Sequence, residues 1–111
     1  MQTLKVWLDD ERRMPEGYNV HVRTAESAIA LLKLNIVSEI SLDNDLGYKH
    51  SEGRKVADFI EQAARNEELQ KLTCYIHTGD AIARHNMAMA IERAYAYWEM
   101  ARGRQNEGNP D

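Results

Sequence analysis

At 111 residues, with 43% hydrophobic and 29% charged residues, the chain has the size and composition of one folded domain around one core, which excludes a multi-domain arrangement and a disordered chain. Its formal net charge of -4 excludes nonspecific duplex-DNA binding, where affinity comes from Lys and Arg neutralising phosphates, but leaves room for one small phosphorylated ligand. The single cysteine, Cys74, cannot close a disulfide within the chain, and no run approaches the roughly 18 consecutive apolar residues of a membrane span, so the expectation is a cytoplasmic protein without a membrane segment.

Leu4-Lys5-Val6-Trp7-Leu8 is a short run of strand-forming residues that stops abruptly at Asp9-Asp10-Glu11, and it predicts a strand tipped with acids. From Glu11 to Tyr18 the chain holds Pro15 and Gly17 without helical apolar spacing, which reads as a loop. Asn19 to Arg23 alternates polar and apolar residues at period two, as a second short strand would. Thr24 then has the character of a helix N-cap, with Ala25, Ala28, Ile29 and Leu32 falling on one helical face.

The run from Val37 to Leu42 predicts a third strand, and it ends on Asp43-Asn44-Asp45-Leu46-Gly47. A polar loop with Lys49 and His50 follows, and Gly53 is expected to let the chain turn sharply into a helix whose stripe is Val56, Phe59, Ile60 and Ala63. Leu72 to Ile76 predicts a fourth strand, ending on His77-Thr78-Gly79-Asp80. A last helix is expected from about Ala81 to Ala101, with Met87, Ile91, Ala94 and Trp98 on its apolar stripe. Residues 103–111 carry no large apolar side chain and are expected to form a flexible tail, leaving residues 1–102 as the single domain.

This alternation of strand and helix points to the α/β class: a small open sheet of about four mostly parallel strands with three main helices. The runs 4–8 and 37–42 should lie side by side in the middle. Where a doubly wound fold normally places a first helix, the first two strands are joined by a loop.

In such sheets ligands bind in the crevice beyond the carboxyl ends of the strands. Asp9, Asp10, Asp43 and Asp45 would gather there. Carboxylates brought together repel one another unless a proton or a hard cation intervenes, and Mg2+, which prefers oxygen ligands, suits such a set. The competing reading is that these acids only cap turns. Asp43, directly after Leu42, could be a metal ligand, a phosphoryl acceptor or a general base. Asp9 and Asp10 point opposite ways if both are extended, so one of them would miss the pocket.

His77 and Thr78 end the last strand on the same edge. His77 could move a proton or be a histidine satisfied inside the fold; Thr78 could donate to a phosphate oxygen. Thr78-Gly79-Asp80 leads into a helix start that could hold an anion, unless Asp80 caps it. Arg84 and Asn86 on the first turns of that helix, and Arg12 in the first loop, could contact a phosphate. No G-x-x-x-x-G-K-[ST] or G-x-G-x-x-G sequence is present, so no nucleotide fingerprint adds to this.

The acidic pair Asp9-Asp10 after the first strand, Asp43 after a central strand and Thr78 after a later one resemble the phosphate-handling site of response-regulator receiver domains. The receiver pattern's first helix, and its fifth strand ending in a lysine, have no counterpart here. A closer resemblance is to cyclic-phosphate processing receiver domains, carried by Leu8-Asp9-Asp10-Glu11-Arg12-Arg13-Met14-Pro15, by Ser41-Leu42-Asp43-Asn44-Asp45-Leu46-Gly47 followed by Gly53, and by Ile76-His77-Thr78 followed by Asn86-Met87. The resemblance implies a receiver-like, flavodoxin-like fold, Mg2+ on Asp9 and Asp10, Asp43 in the acceptor position, Thr78 on the phosphoryl group, and recognition or hydrolysis of a cyclic phosphate on a nucleotide or RNA end. The alternative is a non-catalytic receiver-like module that sequesters a nucleotide or docks a protein partner.

Overall fold

Four apolar runs become strands, β1 (Leu4–Leu8), β2 (Val20–Val22), β3 (Val37–Leu42) and β4 (Thr73–Ile76), and three amphipathic runs become helices, α1 (Ala25–Lys33), α2 (Glu52–Arg65) and α3 (Ala81–Glu107). The computed structural model describes residues 2–44 and 52–107. All pairings are parallel, in the order β2-β1-β3-β4, so β1 and β3 hold the centre as the sequence predicts. The chain crosses from β2 over β1 to β3 and then on to β4, always in one direction. Right-handed crossovers therefore send α1 and α2 to the same face of the sheet.

That face is the core. Val6, Leu8, Ile40 and Leu42, all fully buried, alternate inward from the central strands and meet Ala28 and Leu32 of α1, Val56 and Ile60 of α2, and Met87 and Ala94 of α3 in one cluster. The intervening residues Trp7, Ser41 and Tyr75 are one cross-strand row on the opposite face. Among the described residues no helix covers that side. The segment following Asp9 lies over part of it, with Trp7 Nε1 donating to the Arg12 carbonyl at 3.3 Å and the Tyr18 ring edge-on to Trp7 at 5.4 Å.

Register sets the level at which the strands end. Leu8, Leu42 and Ile76 are partners on one rung. The next backbone bonds, Asp43 N–H to Leu8 at 3.1 Å and His77 N–H to Leu42 at 2.9 Å, carry the pattern one residue further. Asp9, Asp43 and His77 thus leave the sheet together.

Local signals explain the element boundaries. Thr24 caps α1 by accepting from the Ser27 N–H at 3.2 Å. Asn35, just past the end of α1, is left-handed with φ of 55°, a conformation Asn tolerates better than most residues. Gly53 does more than ease a turn. A Cβ there would collide with the Asp43 carbonyl oxygen and lie 2.6 Å from the Asn44 Cα, so the first turn of α2 rests directly on the backbone that carries Asp43.

Three spans differ from expectation; β2 covers only Val20–Val22 of the expected run from Asn19 to Arg23. β4 begins at Thr73, a residue late, and α3 runs to Glu107 instead of stopping near Ala101. Arg104, expected in the tail, is helical and pairs with Glu67 at 2.6 Å. No helix among the described residues is long and apolar enough to cross a membrane.

Candidate functional site

Asp9 is fully buried at the end of β1. Its Oδ1 accepts from the backbone N–H groups of Glu11 at 2.8 Å and Arg12 at 2.7 Å, which curls the chain back at once. Its Oδ2 faces His77 Nε2 at 3.0 Å. Asp43, also buried, completes the group: one ligand atom each from Asp9, Asp43 and His77 lie within 4.8 Å of one another.

His77 reaches this spot by lying across β3. The small Ser41 side chain leaves room for the imidazole to stack on Trp7, with centroids 3.8 Å apart and planes 6° from parallel. Ser41 Oγ meets His77 Nδ1 at 2.7 Å, so both ring nitrogens are engaged. Tyr18 also packs on Trp7, its ring edge-on at 5.4 Å, and its hydroxyl is held above its ordinary pKa chiefly by burial and by nearby Glu39. From the other side Arg12 Nη1 donates to the His77 carbonyl at 2.8 Å.

Electrostatics follow from these contacts. Burial raises the pKa of Asp9, but the backbone N–H donors of Arg12 and Glu11, with His77, outweigh it and hold the carboxyl below its ordinary range. For His77, burial is the largest influence and favours the neutral ring. The Asp9 hydrogen bond and the charges of Asp43 and Asp9 oppose that without overcoming it, and the His77 pKa lies below its ordinary value.

The model of the cyclic-phosphate processing receiver domain matches residues 4–93, most of the chain. The chain belongs to that family. No match was found among curated proteins or among solved structures. In this cyclic-phosphate processing receiver domain the matched region holds every strand and all three residues of the buried group.

The other predicted site residues are distributed around the group. Asp10 lies outside it, and its backbone carbonyl accepts from Arg23 at 3.1 Å. Asp45 falls outside the described residues. Thr78 is buried, and its Oγ1 accepts from the Asp80 N–H at 3.3 Å. Asp80 Oδ1 in turn accepts from Ile82 and Ala83 at 3.0 and 3.1 Å, so the start of α3 is closed by its own cap. Arg84 Nη2 donates to the Thr78 carbonyl at 2.6 Å. Two guanidinium groups thus hold the successive carbonyls of His77 and Thr78. Asn86, half-buried, lies on the second turn of α3.

Sequence reasoning missed Ser41 and Trp7. A signal existed, since Ser41 is a polar residue inside an apolar strand, on the same side of the pleat as Asp43. What it would touch was not readable.

The donor set is of a kind that could hold a divalent cation: with Asp9 Oδ1 taken by two backbone donors, Asp9 Oδ2, a carboxylate oxygen of Asp43 and one imidazole nitrogen would be the ligands. Metal bonds of about 2.1 Å place neighbouring ligand atoms on the order of 3.0–3.5 Å apart. The 3.0 Å Asp9 to His77 separation already has that span.

Proposed function

We propose that this pocket recognises or hydrolyses a cyclic phosphate on a nucleotide or RNA end, with a divalent cation, Mg2+ by the expectation from sequence, held by Asp9 and Asp43. The observation that carries the reading is the convergence of Asp9, Asp43 and His77 from three strand ends onto one spot, in a family described by cyclic-phosphate processing. A bound cation would polarise the phosphate and offset its charge. Arg12 and Arg84, which hold adjacent carbonyls beside the group, would meet the phosphate oxygens from the rim. Asn86 would add a neutral donor. Thr78, whose hydroxyl already serves the turn into α3, would hold that turn in place. His77, favoured as the neutral ring, would exchange a proton with the reacting oxygen once its contact with Asp9 opens.

A second reading, a binding module without turnover, is favoured by the engagement of both His77 nitrogens within the protein, which leaves no free base at rest. Incubation of the full chain with 2′,3′-cyclic nucleotides and a divalent cation separates the two. Ring-opened product that disappears in Asp43→Asn supports hydrolysis. Saturable binding without product supports the module, and neither binding nor product refutes both.

A further inference from the structure

We infer that His77 itself ligates the cation through Nε2, with Ser41 fixing its tautomer, so that the pocket takes a first-row transition ion such as Zn2+ or Co2+ in preference to Mg2+. This rests on the reading that the pocket holds a cation and goes beyond it to which ion and which ligands, with His77 as a ligand in place of its proposed role in proton transfer. In the arrangement described, Nε2 lies 3.0 Å from Asp9 Oδ2, in a group where one ligand atom each of Asp9, Asp43 and His77 fall within 4.8 Å of one another. The second nitrogen, Nδ1, lies 2.7 Å from Ser41 Oγ. When Nδ1 carries the proton and donates it to Ser41, the Nε2 lone pair is left facing the carboxylates.

Ser41 can accept that bond because a hydroxyl oxygen both donates and accepts. The shift from Nε2–H to Nδ1–H changes no net charge on the ring. A ligating histidine with its remote N–H held by a protein oxygen is the usual way a metal site orients an imidazole. Stacking on Trp7 with planes 6° apart and the clamp of Arg12 on the His77 carbonyl hold the ring at that angle before any ion arrives.

The donor set then decides the ion. Mg2+ takes oxygen ligands in near-octahedral geometry and keeps its waters. Imidazole with carboxylates suits zinc and other later first-row ions, whose affinity for nitrogen rises along the series. Asp10, which would make the set all oxygen, is not in the group.

The test is calorimetric titration of the metal-stripped full chain with MgCl2, CoCl2 and ZnCl2, with the visible spectrum of bound Co2+ as a second readout. In the wild type, Co2+ and Zn2+ should bind more tightly than Mg2+. His77→Gln should weaken Co2+ and Zn2+ by about 100-fold or more while leaving Mg2+ within about twofold, and Ser41→Ala should weaken them by roughly 10–100-fold. On the wild-type protein, the 15N resonance of His77 Nε2 should move on Zn2+ addition, a result independent of whether either variant folds. Mg2+ binding as tightly as Co2+ and Zn2+, equal losses for all three ions in His77→Gln, or an unmoved Nε2 resonance would overturn the assignment while leaving a cation site in place. Failure of every ion to bind would overturn the cation reading beneath it.

Discussion

Replacing Gly53 by alanine tests how the pocket is held. The added Cβ would collide with the Asp43 carbonyl oxygen and stand 2.6 Å from the Asn44 Cα and 2.7 Å from the Asp43 carbonyl carbon. These are backbone atoms, so no side chain can swing away. Contacts under 3.0 Å are essentially never seen at a real Cβ, so α2 and the Asp43 backbone must move apart by about 1 Å. Overpacking of this kind costs about 1–3 kcal/mol. A displacement of about 1 Å in a group that positions ligand or substrate can cost on the order of 100-fold. Urea unfolding of Gly53→Ala should therefore show a lower midpoint, and cation affinity should drop by tenfold or more on this scale. Gly103→Ala is the control: that glycine is on α3 with nothing within 4 Å of its virtual Cβ, and removing it should stabilise the helix by roughly 0.5–1 kcal/mol. If Gly53→Ala instead behaves like Gly103→Ala, gaining stability and keeping its cation affinity, the close approach of α2 to Asp43 is refuted.

Acid should destabilise the metal-free protein in two stages. His77 has a folded pKa below its ordinary 6.5, so the unfolded chain binds the extra proton and stability falls as pH drops below about 6.5; Asp9, held below 3.8, contributes stability that is lost as pH falls from about 3.8 through its folded value. Thermal melts in chelator should show the first slope in wild type and a flattened one in His77→Gln; an unchanged slope would mean another group titrates there. Cys74, its thiol pushed up to about 12 by burial, should alkylate at pH 8 far more slowly in the native protein than in urea, and equal rates would contradict that burial. Trp98 Nε1 donates to the Leu69 carbonyl at 2.8 Å in a buried contact, so Trp98→Phe should cost about 1–3 kcal/mol by leaving that carbonyl unpaired, read by chemical denaturation. Asn35→Ala should lose a comparable amount, because it puts a less tolerant residue at a φ of 55° and removes two bonds, to the Glu68 carbonyl and from the Gln70 N–H.

Much of the fold was legible because its signals are local. Short apolar runs marked three strands and period-two alternation the second, helical spacing marked the helices, Thr24 marked the start of α1, and an apolar run broken by Asp marked each acidic strand end. One-directional crossovers then left little choice of strand order. The end of α3 was not legible, because residues 102–107 carry no apolar stripe. Arg104 there pairs with Glu67 of another part of the chain.

The sequence alone determined that acids and a histidine stand one residue past apolar strands, since hydrophobic burial stops where charge begins. Only the tertiary structure decided that Asp9 and not Asp10 turns inward, that Ser41 and Trp7 hold the imidazole, and that Gly53 supports Asp43. Each of those outcomes depends on partners from other strands: the direction of a side chain at a strand end is fixed by the bonds it finds, and those partners meet only when the sheet closes around its register.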